Sequence, residues 1–195
     1  GGVKGRSELP DYVERYLAGE FKLNIEANHA TLSGHSFAHE LRYASAHGLL
    51  GSVDFNRGDP KLGWDTDQFP NDVQEATLAM LAVLEDGGFT TGGSNFDAKL
   101  RRQSLDAVDL FHAHIGGIDI LARGLVNAAA IIEGGELSQF VSERYAGWDA
   151  AFGKDILSGA TTLDALAAHV VKENLDPKPL SGRQELLENI VNRYL

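Results

Sequence analysis

Three short strand-like segments occur in the first half of the sequence, the first with the two-residue alternation of a β-strand and the third with weak strand propensity, and each is followed by a segment with helical periodicity. The strand-like segments span residues 21–27, 49–55 and 92–96. Strands that alternate with helices predict a parallel sheet with right-handed crossover connections. In such sheets ligands bind beyond the carboxyl ends of the strands. The sequence therefore predicts an α/β fold with a candidate site at that edge.

Carboxylates occupy the predicted strand ends. Glu26, Asp54 and Asp97 each lie where a strand-like segment ends. Three unpaired carboxylates at one edge would repel one another, and a cation between them would relieve that repulsion. His29 follows Glu26 by three residues in a predicted turn, so its imidazole can reach the same cation. Taken alone, this Glu–His pair would more often be a solvated loop pair, but the recurrence of carboxylates favours a metal site.

Two further carboxylates, Asp65 and Asp67, follow the second strand and lie two residues apart. In an extended backbone both side chains would point the same way. A ligand set rich in oxygen with a single imidazole suits Mg²⁺, Mn²⁺ or Co²⁺ better than Zn²⁺. The predicted metal ligands are Glu26, His29, Asp54, Asp65, Asp67 and Asp97.

Helical periodicity predicts a helix within residues 10–19, three longer helices between 36 and 133, and a C-terminal part made of helices alone. Ser181 and Gln184 predict a capping box for the last of these helices. The predicted organisation is a leader with a first helix at 1–19, a region with strands and metal ligands at 20–134, and a helical extension at 135–195. The extension has no strand to pack on, so its apolar faces are expected to contact other subunits.

The composition narrows the class of protein. The chain has 195 residues, 43% hydrophobic residues, no cysteine and a net charge of −11. This charge argues against nucleic acid as a partner, and the absence of cysteine excludes disulfides and thiolate metal sites. No uninterrupted run of about 18 apolar residues occurs, so no membrane span is expected, and the cytoplasm is the default compartment.

Long motifs in the sequence resemble xylose isomerase, in its longer-chain class. They are IEANHATL at 25–32, GWDTDQFP at 63–70, GGFTTGGSNFDAK at 87–99 and LSGRQELL at 180–187. The resemblance runs from Phe21 to Leu195 and so covers nearly the whole chain. It implies a (β/α) barrel of the TIM type, of which this chain would carry the last three strand–helix units and a C-terminal extension that clasps neighbouring subunits in a homotetramer.

The resemblance also implies an activity and roles for the predicted ligands. The family interconverts D-xylose and D-xylulose, and also D-glucose and D-fructose, by a metal-assisted hydride shift that uses two divalent metal ions. By resemblance, Glu26 would bridge the two metals, and Asp54 and Asp97 would complete the structural site. His29, Asp65 and Asp67 would hold the catalytic metal.

Two departures from the family pattern leave two interpretations open. A complete barrel needs eight strands and about 250 residues, whereas three strands are predicted here. The carbonyl-polarising lysine, a fourth carboxylate and the ring-opening histidine of the family have no match in residues 1–19, so the catalytic residues are unknown. The chain is therefore either an isomerase half that a complementing N-terminal half completes, or a non-catalytic metal-binding module for oligomerisation.

Overall fold

A computed structural model describes residues 18–195. The helix predicted within residues 10–19 lies outside this range, except for a three-residue helix at its end. The chain divides into two compact units, one comprising the residues up to Ala130 together with Leu195, and the other comprising Ile131–Tyr194. The elements of the first unit are α1 (Ala18–Glu20), β1 (Leu23–Glu26), α2 (Ala27–Leu32), α3 (Phe37–Ala46), β2 (Leu50–Asp54), α4 (Val73–Glu85), β3 (Ser94–Asn95) and most of α5 (Ala107–Gly134).

The three strands form a parallel sheet in the order β1–β2–β3. In its register Glu26 lies beside Asp54, and Asp54 lies beside Asn95, so the strands end together at one edge. The predicted small parallel sheet is confirmed. An eight-stranded barrel is not seen, because the described part of the chain contributes only these three strands.

The third strand is much shorter than the five residues predicted. Only Ser94 and Asn95 have strand geometry, although hydrogen bonds from Val53 N to Gly93 O (3.0 Å) and from Phe55 N to Asn95 O (2.8 Å) extend the pairing. At Gly92 the backbones approach so closely that an added Cβ would lie 1.9 Å from Gly51 O. Glycine is therefore required here, and its low strand propensity keeps the strand short.

His29 lies on a helix, and the prediction that it lies in a turn is wrong. The six-residue helix α2 begins directly after Glu26 and buries Ala27, Asn28 and Ala30. A helix of this length is not stable by itself in water. It forms because packing of these small buried residues against the rest of the unit compensates for the cost of nucleation.

The helices around the sheet start where local side chains can cap them. Ser36 accepts a hydrogen bond from His39 N at the start of α3, and Asp72 accepts one from Glu75 N at the start of α4. Each bond satisfies a backbone donor that the first helical turn leaves free. The core between these helices and the sheet includes Phe37 and Phe55, whose rings meet edge to face with centroids 5.5 Å apart.

Helix α5 buries only part of its surface. Gly124 lies against Ala76, where an added Cβ would be 2.9 Å from the Ala76 side chain, and Ala128 is fully buried. Its other faces expose apolar side chains, among them Phe111, Ile115, Ile118 and Val126. By length and composition alone this helix could cross a membrane, with a mean hydropathy of 1.6 over its most apolar 18 residues. A single helix of this kind is weak evidence for a membrane protein. The search for uninterrupted apolar runs in the sequence did not identify this helix.

The second unit is entirely helical within its described residues, as predicted. After the end of α5 it contains α6 (Glu136–Tyr145), a 3-10 turn at Ala146–Trp148, α7 (Ala151–Leu157), α8 (Leu163–Lys172) and α9 (Gln184–Asn192). Arg193 pairs with Glu136 at 2.7 Å, and Ile190 and Val191 are buried. Many of its large apolar side chains are exposed, including Val141, Trp148, Phe152, Leu157, Leu163 and Val171.

The capping box predicted for the last helix is wrong. Helix α9 follows Arg183, which has a left-handed backbone (φ 55) and makes no side-chain cap. The Ser181 hydroxyl instead accepts a hydrogen bond from Arg183 N at 3.2 Å. The serine thus stabilises the turn that precedes the helix, because Asx- and ST-type turns compete with capping for the same side chains.

Candidate metal centre

Five of the six predicted ligands form two groups that share one residue. Ligand atoms of Glu26, Asp54 and Asp97 lie within 4.8 Å of one another, and so do those of Glu26, His29 and Asp65. Both groups lie at the carboxyl ends of the parallel strands or in the segments that follow them. Glu26 is the only residue common to the two groups, so it is placed to contact two cations.

Both oxygens of Glu26 have defined partners. Asn56 Nδ2 donates to Oε1 at 2.6 Å, and His29 Nδ1 lies 3.3 Å from Oε2. The other ring nitrogen of His29 lies 3.0 Å from Asp65 Oδ2. The hydrogen bond to Asp65, together with the negative charges of Glu26, Asp65 and Asp67, raises the pKa of His29. The imidazole thus lies between two carboxylates, in a field that favours a cation.

Asp54 is the buried carboxylate of the centre, with 5% of its surface exposed. Asn24 Nδ2 donates to its Oδ2 at 2.6 Å, and Asn95 Nδ2 donates to its Oδ1. These donors are neutral amides, and no ion pair to Asp54 or Asp97 is formed among residues 18–195. A buried carboxylate without a charged partner is costly unless a cation compensates it. The donor set therefore fits a divalent metal ion with a preference for oxygen ligands.

Asp67 belongs to neither group, although the sequence placed it among the ligands. Its Oδ2 lies 2.7 Å from Lys99 Nζ, and Lys99 N also donates to Asp67 O at 2.8 Å. Hydrogen bonding with the neighbouring Asp65 carboxyl, and then with Lys99 and Asn28, lowers the pKa of Asp67. The extended backbone predicted for this pair is wrong, because Asp67 has a left-handed conformation with φ 41.

The side-chain amide of Asn28 lies against the carboxylates of both Asp65 and Asp67. Its side chain is fully buried, and its Nδ2 donates to Asp65 Oδ1 and lies 3.5 Å from Asp67 Oδ1. Its Oδ1 is a buried acceptor without a hydrogen-bond partner. Gly58 lies so close that an added Cβ would be 1.7 Å from this oxygen. The amide orientation is fixed because the opposite orientation would turn the oxygen toward two carboxylates.

Sequence reasoning missed four asparagines that orient the carboxylates: Asn24, Asn28, Asn56 and Asn95. Three of them lie two residues from a predicted ligand, at 24 and 26, 54 and 56, and 95 and 97. Residues two apart on a strand share a face of the sheet. This spacing was a signal available in the sequence that amides lie near the strand ends, but each amide bonds a carboxylate of a neighbouring strand: Asn24 and Asn95 orient Asp54, and Asn56 orients Glu26.

A cavity of about 580 Å³ opens next to the group formed by Glu26, His29 and Asp65. Its lining includes Trp64, Asp65, Gln68, Lys99 and Arg101. Trp64 is more than half exposed, so it has an accessible aromatic face beside Asp65. Aromatic and polar side chains around an open cavity provide the mixed lining that small polar ligands use.

Comparisons with known proteins give the same family as the motifs. A family model described as XylA2 C-terminal domain matches residues 141–195. The chain is 61% identical over 179 residues to a xylose isomerase of Solibacter usitatus (strain Ellin6076). It is 62% identical over 179 residues to a xylose isomerase of Histophilus somni (strain 2336). Each of these matches covers 92% of this chain and 41% of the relative. A xylose isomerase of Pseudomonas savastanoi pv. phaseolicola (strain 1448A / Race 6) is 56% identical over 185 residues, which are 94% of this chain and 42% of the relative.

The chain thus spans about two fifths of the length of the curated relatives it matches. The matched relatives are named for one enzyme, and the matching family model is that of a C-terminal domain. The recognition made from the motifs is confirmed: this chain resembles the C-terminal part of xylose isomerase.

Proposed function

We propose that this chain supplies the C-terminal part of a metal-dependent aldose–ketose isomerase that interconverts D-xylose and D-xylulose, and also D-glucose and D-fructose. The observation that carries the proposal is the pair of ligand groups that share Glu26 at the carboxyl ends of three parallel strands. A shared carboxylate between two oxygen-rich groups suits a centre with two divalent metals.

The ligands divide between two positions. Glu26 would contact both metals, Asp54 and Asp97 would complete one position, and His29 and Asp65 would form the other. Asp67 would join the second position if its carboxylate left Lys99. When bound, the two metals (Mg, Mn or Co) would polarise the sugar oxygens and stabilise the negative charge that develops during the hydride shift between C2 and C1.

The protein groups hold this arrangement in place. Asn56 fixes one oxygen of Glu26, and Asn24 with Asn95 fixes both oxygens of Asp54, so these carboxylates need little reorganisation when a cation binds. Trp64 borders the adjoining cavity and would cover one side of an open-chain sugar. The residues that polarise the carbonyl group and open the sugar ring are expected in the part of the longer protein that this chain does not match.

The fold that fits this function is a TIM-type barrel to which the present sheet contributes three strands. β1 and β3 each have one side without a partner strand in the described residues, and the remaining barrel strands would pair there. The exposed apolar faces of α5 would lie against the rest of the same protein. Those of the second unit would lie against other subunits of a homotetramer, in the cytoplasm.

The metal centre can be tested on the chain by calorimetric titration with Mn²⁺. Glu26→Gln should abolish binding at both positions, because it removes the shared charge. Asp59→Asn makes the same change of charge in a loop outside both groups, where Asp59 Oδ1 accepts only from Lys61 N at 3.0 Å, and should leave binding unchanged. Equal Mn²⁺ affinity in the two variants would contradict the proposed centre.

The isomerase assignment needs a separate assay. A longer protein that includes this chain should form xylulose from xylose with saturating Mn²⁺, and Glu26→Gln in that protein should not. Mn²⁺ binding without any turnover would instead favour the alternative of a non-catalytic metal-binding module for oligomerisation.

A further inference from the structure

A third group of metal-ligating side chains lies at the start of α3 and shares no residue with the strand-end groups. It consists of His35, His39 and Glu40, whose ligand atoms lie within 4.8 Å of one another. The two histidines are exposed and Glu40 is half-buried, so water and ions reach the group. Nothing in the proposed isomerase reaction uses these residues.

Helix capping brings the two imidazoles together. The Ser36 hydroxyl accepts a hydrogen bond from His39 N at 3.2 Å, which starts the helix directly after His35. The two rings lie on the same side of the first turn, with centroids 4.9 Å apart and planes tilted by 56°. On the opposite side of the helix, Phe37 and Leu41 are buried in the core. The backbone that carries the imidazoles is therefore held by both a cap and the core.

Glu40 completes the group through His35. Its Oε1 contacts His35 Nδ1, so the carboxylate orients one imidazole and leaves the other ring nitrogen accessible. A carboxylate bonded to a histidine is a common partner of metal-bound imidazole, because it fixes the tautomer and raises the basicity of the ring. The same carboxylate could also bind a metal directly with little movement.

We propose that His35, His39 and Glu40 form a surface site for a borderline transition-metal ion such as Zn²⁺, with water in the remaining positions. Two imidazoles and one carboxylate are ligands that Zn²⁺, Ni²⁺ and Cu²⁺ bind well, whereas Mg²⁺ and Mn²⁺ prefer oxygen. The two strand-end groups together contain four carboxylates, of which Glu26 belongs to both groups, and one imidazole. The chain therefore separates two metal chemistries between two places in the first unit.

The test is a Zn²⁺ titration of the full chain by calorimetry, with excess Mg²⁺ present to occupy the strand-end centre. His39→Gln removes one imidazole of the group. His47→Gln is the matched control, because His47 is the exposed C-cap residue of the same helix and lies outside the group. The native chain and His47→Gln should bind one more equivalent of Zn²⁺ than His39→Gln, and Glu40→Gln should bind this equivalent about 10–100-fold more weakly.

Imidazole signals in NMR spectra give an independent readout of the same site. Zn²⁺ should shift the ring signals of His35 and His39 and leave those of His47 unchanged, and circular dichroism should show the same helix content in all variants. Equal Zn²⁺ stoichiometry in the native chain and His39→Gln would overturn the proposal and leave His35 and Glu40 as an ion pair only. Equal losses in His39→Gln and His47→Gln would also overturn it, because binding would then be unspecific.

Discussion

Asn56 Nδ2 donates a 2.6 Å hydrogen bond to Glu26 Oε1, and through this bond a buried amide orients the carboxylate that both candidate metal positions share. The same amide nitrogen lies 3.1 Å from Asp97 O, and Asn56 Oδ1 accepts from Asn28 N at 3.0 Å. One side chain with 1% exposure thus joins the ends of β1 and β3 to the start of α2. Asn56 itself follows β2, so its hydrogen bonds fix the distances between the segments at the ends of β1, β2 and β3.

Replacing Asn56 by leucine should destabilise the chain and weaken Mn²⁺ binding. The leucine has a similar volume but leaves Asn28 N and Asp97 O without this partner, at a cost of roughly 1–3 kcal/mol in the free energy of unfolding. Urea unfolding measures the first effect and calorimetry the second. Asn71→Leu, at an exposed loop position, is the control. An Asn56→Leu chain with native stability and native Mn²⁺ affinity would show that the amide has no such role.

Gly58→Ala should disturb the second candidate metal position, that of Glu26, His29 and Asp65, through Asn28. The added methyl group would lie 1.7 Å from the Asn28 oxygen, and Asn28 is fully buried and bonded to Asp65, so it has no room to move away. Overpacking of this kind costs about 1–3 kcal/mol. Both unfolding by urea and Mn²⁺ titration should detect the change.

Gly116→Ala is the matched control for this substitution. Gly116 lies within α5, and an added Cβ there meets nothing within 4 Å. The control should be more stable by about 0.5–1 kcal/mol, because alanine is the better helix former. If both alanine variants were equally stable, the close contact at Gly58 would carry no energetic weight.

The features that sequence reasoning found are those that a short periodic pattern encodes. Alternation of apolar and polar residues predicted the first strand, and the succession of strand-like and helical segments predicted a parallel sheet with Glu26, Asp54 and Asp97 at one edge. The caps at Ser36 and Asp72 were also within reach, because a capping side chain acts on backbone donors only three residues away. Local rules therefore located the strand-end cluster and five of the six side chains predicted as ligands.

The features it missed depend on contacts between distant segments. Helix α2 is too short to show helical periodicity, and it exists because Ala27, Asn28 and Ala30 are buried by the rest of the unit. The bond between Lys99 and Asp67 joins residues 32 apart. A single asparagine in a sequence more often indicates a turn than a buried amide. Only the folded structure shows which asparagines orient carboxylates.

Glu75 gives a pH dependence that can be tested without metal. Burial, and next the nearby charge of Asp72, raises the pKa of the Glu75 carboxyl above its ordinary value of 4.5, although Arg57 opposes the shift. The folded chain then binds this proton more tightly than the unfolded chain, so the associated stability is present below pH 4.5 and is lost as the pH rises through the raised pKa. At pH 7 the ionised carboxylate is a net cost.

Glu75→Gln should therefore stabilise the chain at pH 7, by roughly 0.5 kcal/mol or more, and should make no difference well below pH 4.5. Glutamine keeps the backbone bond from Glu75 N to Asp72 Oδ1 (2.9 Å), so the cap of α4 is preserved. Urea unfolding at a series of pH values measures the effect, with the exposed Glu20→Gln as control. A glutamine variant less stable than the native chain at pH 7 would contradict this account of the half-buried carboxylate.

The last prediction concerns turnover by the 195-residue chain alone, which should be slow or absent. The sheet has unpaired sides at β1 and β3 among its described residues, and the family's carbonyl-polarising lysine and ring-opening histidine have no match in this sequence. Each such group contributes substantially to the rate of reaction, and a general acid–base step alone commonly raises the rate by about 10²–10⁴.

Adding a chain that carries the N-terminal part of the longer relatives should raise both Mn²⁺ affinity and xylulose formation, because the added strands would pair with the open sides and complete the ligand set. The measurement is xylulose formed from xylose at saturating Mn²⁺, with each chain alone and with the mixture. Turnover by this chain alone at the rate of the mixture would show that one of its own residues replaces the missing lysine. Lys99, which pairs with Asp67 beside the second candidate metal position, would be the first residue to substitute.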